Sequence, residues 1–454
     1  MFDLIIIGAG PGGYHLAEKA AKENKKVAII EKDKFGGTCL NVGCIPSKAF
    51  LHVEKIVEDA NRGREIGVVG PELTIDQKKV VDYKNKKVDF LCKATKNQVR
   101  KSGAKIYDGY GKIVKPTISG LFSVEVNDEI INGKNLVIAT GSLPFVPPIK
   151  GVMEAYNDGD AITSTEALSL TEIPKRLLVV GAGVIGLELG SYFSGAGSKV
   201  TVVELGSKIA GPTDTEISTR LENALKQKGM NFILNSSVIE VEKNYATIID
   251  KENKKSIIPF DKILIAAGRK PYIENLGLEN IGVFVERNTI IVDDKLQTNI
   301  PGVYAVGDVN GKLMLAHTAM YESEVVLDNI NNKKTKIDYN KIPTVIYGSP
   351  EVAEIGITED KAKLENMDVT IKKISMLYSG RFVIENELFE GLFKVVINNK
   401  TKEIIGLSIF GNYASEIIIA GSILVGKRFN VEQIKNIVFA HPTVGEIIKN
   451  VLFN

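Results

Sequence analysis

Two thiols and one imidazole make the first chemical statement of this 454-residue chain. Cys39 and Cys44 lie within Gly36-Gly37-Thr38-Cys39-Leu40-Asn41-Val42-Gly43-Cys44-Ile45-Pro46-Ser47-Lys48, a glycine- and proline-punctuated stretch with the layout of a redox pair. A regular helix would hold residues five apart at roughly 7.5 Å along its axis, given ~1.5 Å rise per residue, whereas a disulfide wants Cα atoms closer than about 7 Å. The spacing therefore predicts a distorted helix start, with Gly36, Gly37 and Gly43 supplying the backbone freedom. A helix running on from there would bring its positive N-terminal end to the sulfurs and favour whichever is released as thiolate. Two unconnected core cysteines are the alternative; the glycine-rich approach, the proline behind and Lys48 one helical turn past Cys44 weigh against it. A thiol relay also needs a proton acceptor with a pKa near 7. Of the four histidines, His441, in His441-Pro442-Thr443-Val444-Gly445-Glu446, alone is followed closely by a proline turn and an orienting acid, Glu446.

These groups need elements to position them, and the chain opens with one. Phe2 to Ile7 is an apolar run of buried-strand type, followed by Gly8-Ala9-Gly10-Pro11-Gly12-Gly13 and a helical pattern from Tyr14 to about Glu23. This is a G-x-G-x-x-G in its required context. Gly8 permits the tight turn, Gly10 lets the backbone approach a pyrophosphate, and Gly13 allows close helix packing. The next strand, Lys26 to Ile30, ends in Glu31, placed for ribose hydroxyls. The unit then returns as strand Arg176 to Val180, loop Gly181-Ala182-Gly183-Val184-Ile185-Gly186, helix Val184 to Ser194, strand Lys199 to Val203 and acid Glu204. Both acids follow their first glycine by the same number of residues. Leu136 to Gly141, with Thr140, and Ile263 to Gly268 repeat a further apolar strand ending in Ala-x-Gly.

Two nucleotide folds and one dithiol imply an electron relay, and flavin is the cofactor that exchanges electrons with both a hydride carrier and a thiolate. Asp308, in Tyr304-Ala305-Val306-Gly307-Asp308, puts a carboxylate at a strand end, suited to a ribityl chain. The connector Leu143-Pro144-Phe145-Val146-Pro147-Pro148 should be neither helix nor central strand. Residues 85 to 101 read as an amphipathic helix with Cys92 as a buried small apolar residue. From Lys341 onward, strands Gly391 to Ile397 and Ile404 to Phe410 and helices Ala414 to Gly426 and Val431 to Val438 indicate a separate α+β domain.

Composition bounds the rest. Lys+Arg 57 against Asp+Glu 55, net charge +2, gives no footprint for nucleic acid or an anionic membrane. Three cysteines are no disulfide scaffold, and no histidine cluster has zinc-ligand spacing, so no metal is expected. Residues 2 to 7 lack a basic leader and run straight into glycines. The apolar stretch Ile417 to Gly426 falls well short of the ~20 residues that span a bilayer. A cytoplasmic protein is expected.

With these pieces placed, the chain resembles the flavin-dependent pyridine nucleotide–disulfide oxidoreductases over its whole length. Gly-Gly-Thr-Cys-Leu-Asn-Val-Gly-Cys-Ile-Pro-Ser-Lys at 36–48 is similar to their redox-active disulfide signature, and His-Pro-Thr-x-x-Glu at 441–446 to their catalytic base and its orienter. The resemblance implies Cys39 as the interchange thiol, Cys44 as the thiol against the flavin, and Lys48 as a cation beside the flavin paired with Glu188. It implies FAD contacts from Gly8, Gly10, Gly13, Glu31, Lys48, Thr140, Gly141 and Asp308, and NAD contacts from Gly181, Gly183, Gly186, Glu204 and Gly268. The segment after His317 reads Thr-Ala-Met-Tyr-Glu where many relatives have Lys-Ala at the first two positions. The implied fold is α/β: an FAD-binding domain (1–146), an NAD-binding domain (147–269), a central domain completing the FAD site (270–340) and a C-terminal α+β dimerisation domain (341–454). Within the family, Val451-Leu452-Phe453-Asn454 holds neither the extra cysteine pair of mercuric reductases nor the redox extension of large thioredoxin reductases. Glu204 occupies the place where glutathione-type reductases need a cation for NADPH, and the paired cysteines argue against a soluble transhydrogenase. The remaining branch oxidises dihydrolipoyl groups with NAD as a homodimer. Its substrate is presented by a lipoyl-bearing protein, the E2 of a 2-oxo acid dehydrogenase complex or the glycine-cleavage H protein. A structural, non-catalytic subunit is the reading from another class, which a flavin spectrum responding to NADH would exclude.

Overall fold

A computed structural model describes residues 1–386 and 390–453. The chain divides into two units, Met1–Ala49 with Val81–Phe145 and Gly268–Tyr339, and Phe50–Val80 with Val146–Ala267 and Asn340–Asn454. The first unit is built on β1 (Phe2–Ile7), α1 (Pro11–Lys22) and β2 (Val27–Glu31). Its sheet runs in the order Lys105–Asp108, β2, β1, Glu129–Ile138, Phe122–Val126, Lys112–Val114, and Val303–Ala305 also pairs with Glu129–Ile138. β1 lies parallel to both neighbours, Ile7 opposite Ile30 on one side and Ile138 on the other. Leu4, Ile5 and Ile6 are completely buried, as a strand covered on both faces requires, which is why this run reads as continuously apolar rather than alternating. α1 begins at Pro11, ahead of the expected Tyr14, because proline at the first helical position costs no hydrogen bond and presets φ.

The second unit repeats the scheme. Its nucleotide-type sheet has the order Asn231–Ile233, Lys199–Val203, Arg176–Val180, Lys262–Ile265, Ala161–Ile162, all parallel. Beside it stands a five-stranded antiparallel sheet, Thr344–Ile346, Val352–Gly356, Ile404–Phe410, Leu392–Asn398, Val369–Ser375, whose core takes Ile417, Ile418, Leu424 and Val425 from the helix Ala414–Gly426.

Within the proline-rich connector, Ser142–Pro144 pairs antiparallel with Arg269–Pro271 as a two-stranded ribbon, no central strand, in which proline is tolerated because no further strand needs its amide. Three expectations are corrected. The helix expected from 85 starts at Gln77, since polar residues on its exposed face hid the apolar spacing. The helix expected to reach Val438 ends at Lys435, and Val438 is 92% exposed. Cys92 is only partly buried and donates through Sγ to Asn41 Oδ1 at 3.3 Å, so it touches the redox segment instead of filling a core.

Candidate active site

The redox segment is two helices with a break. α2 (Gly37–Val42) carries Cys39, Gly43 departs from helical geometry at φ −142 and ψ −113, and α3 (Cys44–Gly63) starts on Cys44. A side chain at Gly43 would press on the Thr38 carbonyl oxygen. Helical spacing alone would separate the thiols; the break lets them meet, with Cys44 at the positive end of a 20-residue helix. The two are thiols here, in hydrogen-bond contact. That contact and burial push the Cys39 thiol far up, with the Lys48 charge acting against them. Burial and the neighbouring sulfur thus favour the protonated form of Cys39. The segment hangs from the first glycine loop: the Gly36 N–H donates to the Ala9 carbonyl at 2.9 Å, and a Cβ on Gly37 would lie 2.7 Å from the Gly10 Cα.

That loop is shaped as its glycines demand. Gly8 has φ +106, and the side chain it lacks would collide with the Ala139 carbonyl; one on Gly13 would collide with the Gly8 carbonyl. Gly10 differs, since nothing lies within 4 Å of the Cβ it lacks. The Ala9 N–H donates to Glu31 Oε2 at 2.8 Å and the Asp33 N–H to Glu31 Oε1 at 3.0 Å, leaving lone pairs free for ribose hydroxyls. Thr140 donates through Oγ1 to the Tyr272 carbonyl at 2.6 Å, and the space beside Gly141 is open. Asp308 lies in the 3-10 turn Gly307–Asn310, with one carboxylate oxygen accepting from the Ser142 hydroxyl and standing 3.6 Å from Arg269 Nε. Gly8, Gly10, Gly13, Glu31, Cys39, Cys44, Lys48, Thr140, Gly141 and Asp308 all lie in the first unit.

FAD fits this unit on its own geometry. The open space at Gly10 and Gly141 is cradle that a methyl group would fill, and the completely buried Thr318 hydroxyl, in the first turn of helix Ala316–Ile330, finds no partner within the described chain. NAD fits the second loop likewise. Gly181 has φ +103 and its missing side chain would collide with the Ala266 carbonyl, one on Gly186 would collide with the Gly181 carbonyl, and Gly183 faces open space. The Ala182 N–H donates to Glu204 Oε2 at 2.7 Å and the Gly206 N–H to Oε1 at 2.7 Å.

The remaining groups lie in the second unit. Glu188 is buried and accepts from the Tyr347 N–H at 3.0 Å. His441 Nδ1 lies 3.0 and 3.1 Å from the two Glu446 oxygens, with the imidazole side chain 78% exposed and Glu446 17%. The Thr443 N–H also donates to Glu446, which fixes the carboxylate. An oriented imidazole thus presents its outer ring nitrogen to the surroundings.

Sequence reasoning missed Arg269. Its Nε donates to the Ser142 hydroxyl at 2.7 Å and its Nη2 to the Ser142 carbonyl at 2.8 Å and the Thr38 hydroxyl at 3.4 Å. Burial lowers its pKa, and the Asp308 and Cys44 charges oppose that. Its position directly after Gly268 was the available signal. Among the described residues no group of His, Cys, Asp and Glu could hold a metal ion, and no helix is long and apolar enough to cross a membrane.

Comparison with known proteins agrees over the whole chain. A family model described as pyridine nucleotide-disulphide oxidoreductase matches residues 2–323, and one described as the dimerisation domain of these proteins matches 342–452. The mitochondrial dihydrolipoyl dehydrogenase of Pisum sativum is 37% identical, over 98% of this chain and 90% of its own length. The dihydrolipoyl dehydrogenase of Mycoplasma pneumoniae is 35% identical over 99% of this chain and 97% of its own. Among solved structures, the HOCl-induced flavoprotein disulfide reductase of Escherichia coli superposes with a TM-score of 0.85 at 27% identity, covering 99% of both chains.

Proposed function

This chain belongs to the pyridine nucleotide-disulphide oxidoreductase family, and we propose that within it the chain acts as a dihydrolipoyl dehydrogenase, with FAD and NAD as cofactors and the residue roles that follow. The observation that carries the reading is the thiol pair at a helix break, suspended from a loop whose glycines leave room for a dinucleotide. Residues 1–146 and 270–340 hold FAD, 147–269 hold NAD, and 341–454 join two copies. Exposed Ile419, Ile423 and Val438 give the C-terminal domain an apolar surface for that purpose.

The cycle starts from the Cys39–Cys44 disulfide. A dihydrolipoyl thiol gives its proton to the outer nitrogen of His441 of the partner subunit, which Glu446 orients. The resulting thiolate attacks the Cys39 sulfur, the S–S bond breaks, and the electron pair leaves on Cys44. The second lipoyl thiol then attacks the first lipoyl sulfur of the mixed disulfide as its proton passes to the departing Cys39, so that the ring disulfide closes, the Cys39–lipoyl bond breaks and His441 keeps the first proton. Lys48 and the α3 N-terminus hold the Cys44 charge, and Glu188 acts with Lys48. FAD, when bound, supplies the two-electron relay by which the dithiol returns to disulfide and NAD becomes NADH. Glu204 accepts the 2′- and 3′-hydroxyls of NAD and repels a 2′-phosphate. The lipoyl group comes from a protein partner, the E2 of a 2-oxo acid dehydrogenase complex or the glycine-cleavage H protein, in the cytoplasm. Assay of the holoenzyme should show oxidation of free dihydrolipoamide with NAD, at least about tenfold poorer kcat/KM with NADP, since one lost charge-assisted contact is worth at least ~1.4 kcal/mol. NADPH-dependent reduction of glutathione in place of this activity would refute the reading.

A further inference from the structure

Glu322 lies within the helix Ala316–Ile330, completely buried. It accepts three hydrogen bonds: from the Gly307 N–H at 2.6 Å and Asn310 Nδ2 at 3.0 Å on Oε2, and from the Tyr339 hydroxyl at 2.7 Å on Oε1. Burial raises its pKa and these three donors pull it back. None of the ion pairs among the described residues includes it, so this is a buried acceptor satisfied by neutral donors alone. Removing such an acceptor strands its donors. Two of the donors, Gly307 and Asn310, begin and end the turn that carries Asp308. Gly307 sits at φ +75, a conformation the Glu322 bond to its amide helps to hold. The Asp308 carboxylate is fixed separately, by Ser142 and Arg269. The Asp308 side chain and the turn that carries it are thus held by two different sets of contacts.

We propose that Glu322 is a positioning residue for FAD binding, setting the Gly307–Asn310 turn so that Asp308 meets the cofactor. This rests on the reading of Asp308 as an FAD contact. A purely structural Glu322 would lower overall stability without depending on Asp308. The FAD dissociation constant, read from the fluorescence of FAD released on dilution of the holoenzyme, separates the two in a double-mutant cycle. Glu322→Ala should weaken FAD about tenfold, one charge-assisted hydrogen bond's worth. Glu322→Gln should stay within about threefold of wild type, because its oxygen can still accept from Gly307 and Asn310 while its amide donates to the Tyr339 hydroxyl. In an Asp308→Ala background, Glu322→Ala should add less than about twofold. Unchanged FAD affinity in Glu322→Ala, or the same loss in both backgrounds, would overturn the inference while leaving the Asp308 reading intact. Unchanged affinity in Asp308→Ala would remove that reading and this inference with it. Should Glu322→Ala fail to fold, Asn310→Ala removes the turn's own side-chain donor and is read against the same background, with the same two outcomes deciding.

Discussion

The two glycine loops follow the same local rules and differ in what they support. Gly8 and Gly181 take φ +106 and +103, a side chain on Gly13 or Gly186 would collide with the carbonyl of Gly8 or Gly181, and Glu31 and Glu204 each accept from the alanine amide of their own loop. The carbonyl of that alanine is a peg in both. Ala9 accepts the Gly36 N–H at 2.9 Å and so suspends the redox helices. Ala182 accepts the Ala210 N–H at 2.8 Å, shortly before Asp214 caps the helix Thr215–Gln227. Asp214 is completely buried, with both oxygens 2.9 Å from Lys394 Nζ, which also reaches Glu359 at 2.5 Å. One peg therefore holds the redox segment, and the other holds the approach to a buried ion pair with the antiparallel sheet. A duplicated scaffold keeps what its backbone sterics require and diverges in what is attached to it.

The comparison breaks first at the steric glycines. Gly8→Ala and Gly181→Ala should each destabilise by about 3 kcal/mol or more, since a side chain meets both a positive φ and a carbonyl; calorimetry showing unchanged unfolding would deny that the loops share these constraints. The open glycines sharpen it. Gly10→Ala should leave folding intact and weaken FAD about 100-fold, roughly 2.7 kcal/mol, whereas Gly183→Ala should keep FAD and raise the apparent Kd for NAD by a similar factor. Loss of both cofactors from either variant would dissolve the division of labour. The smallest effect concerns the charged anchor. Glu354 Oε1 accepts the Asp214 N–H at 3.1 Å, and burial pushes its carboxyl up to about 7, with the Ser408 and Asp214 hydrogen bonds opposing. The folded protein holds this proton between the ordinary carboxylate pKa and about 7 while the unfolded chain does not, so stability from this group falls as pH rises through that window. Glu354→Gln should flatten the decline by about 1–2 kcal/mol. Parallel pH profiles for variant and wild type would show that the anchor carries no such proton.

Much of the site was legible because it depends on backbone. A glycine that must adopt positive φ, or leave space for a phosphate, declares itself by having no side chain, and the strand, loop, helix and acid follow one another without long-range help. The thiol pair was legible for the same reason: Gly43 marks the break that lets Cys39 and Cys44 meet. Side-chain partnerships were not. Arg269 joins Ser142, Asp308 and Thr38, and Glu322 joins Gly307, Asn310 and Tyr339, with no periodicity or motif to announce either. The ribbon at Ser142–Pro144 was not legible because its partner strand, Arg269–Pro271, enters 127 residues later.

By itself the sequence determined the two dinucleotide folds, the dithiol and the imidazole–carboxylate pair, because each is a short-range consequence of residue type and spacing. Only the tertiary structure decided what surrounds the Cys39 thiol, that Arg269 faces Asp308, and that one loop carries redox helices while its twin carries an anchor. Desolvation and hydrogen bonding set those outcomes, and both depend on groups brought together by folding rather than by position in the chain.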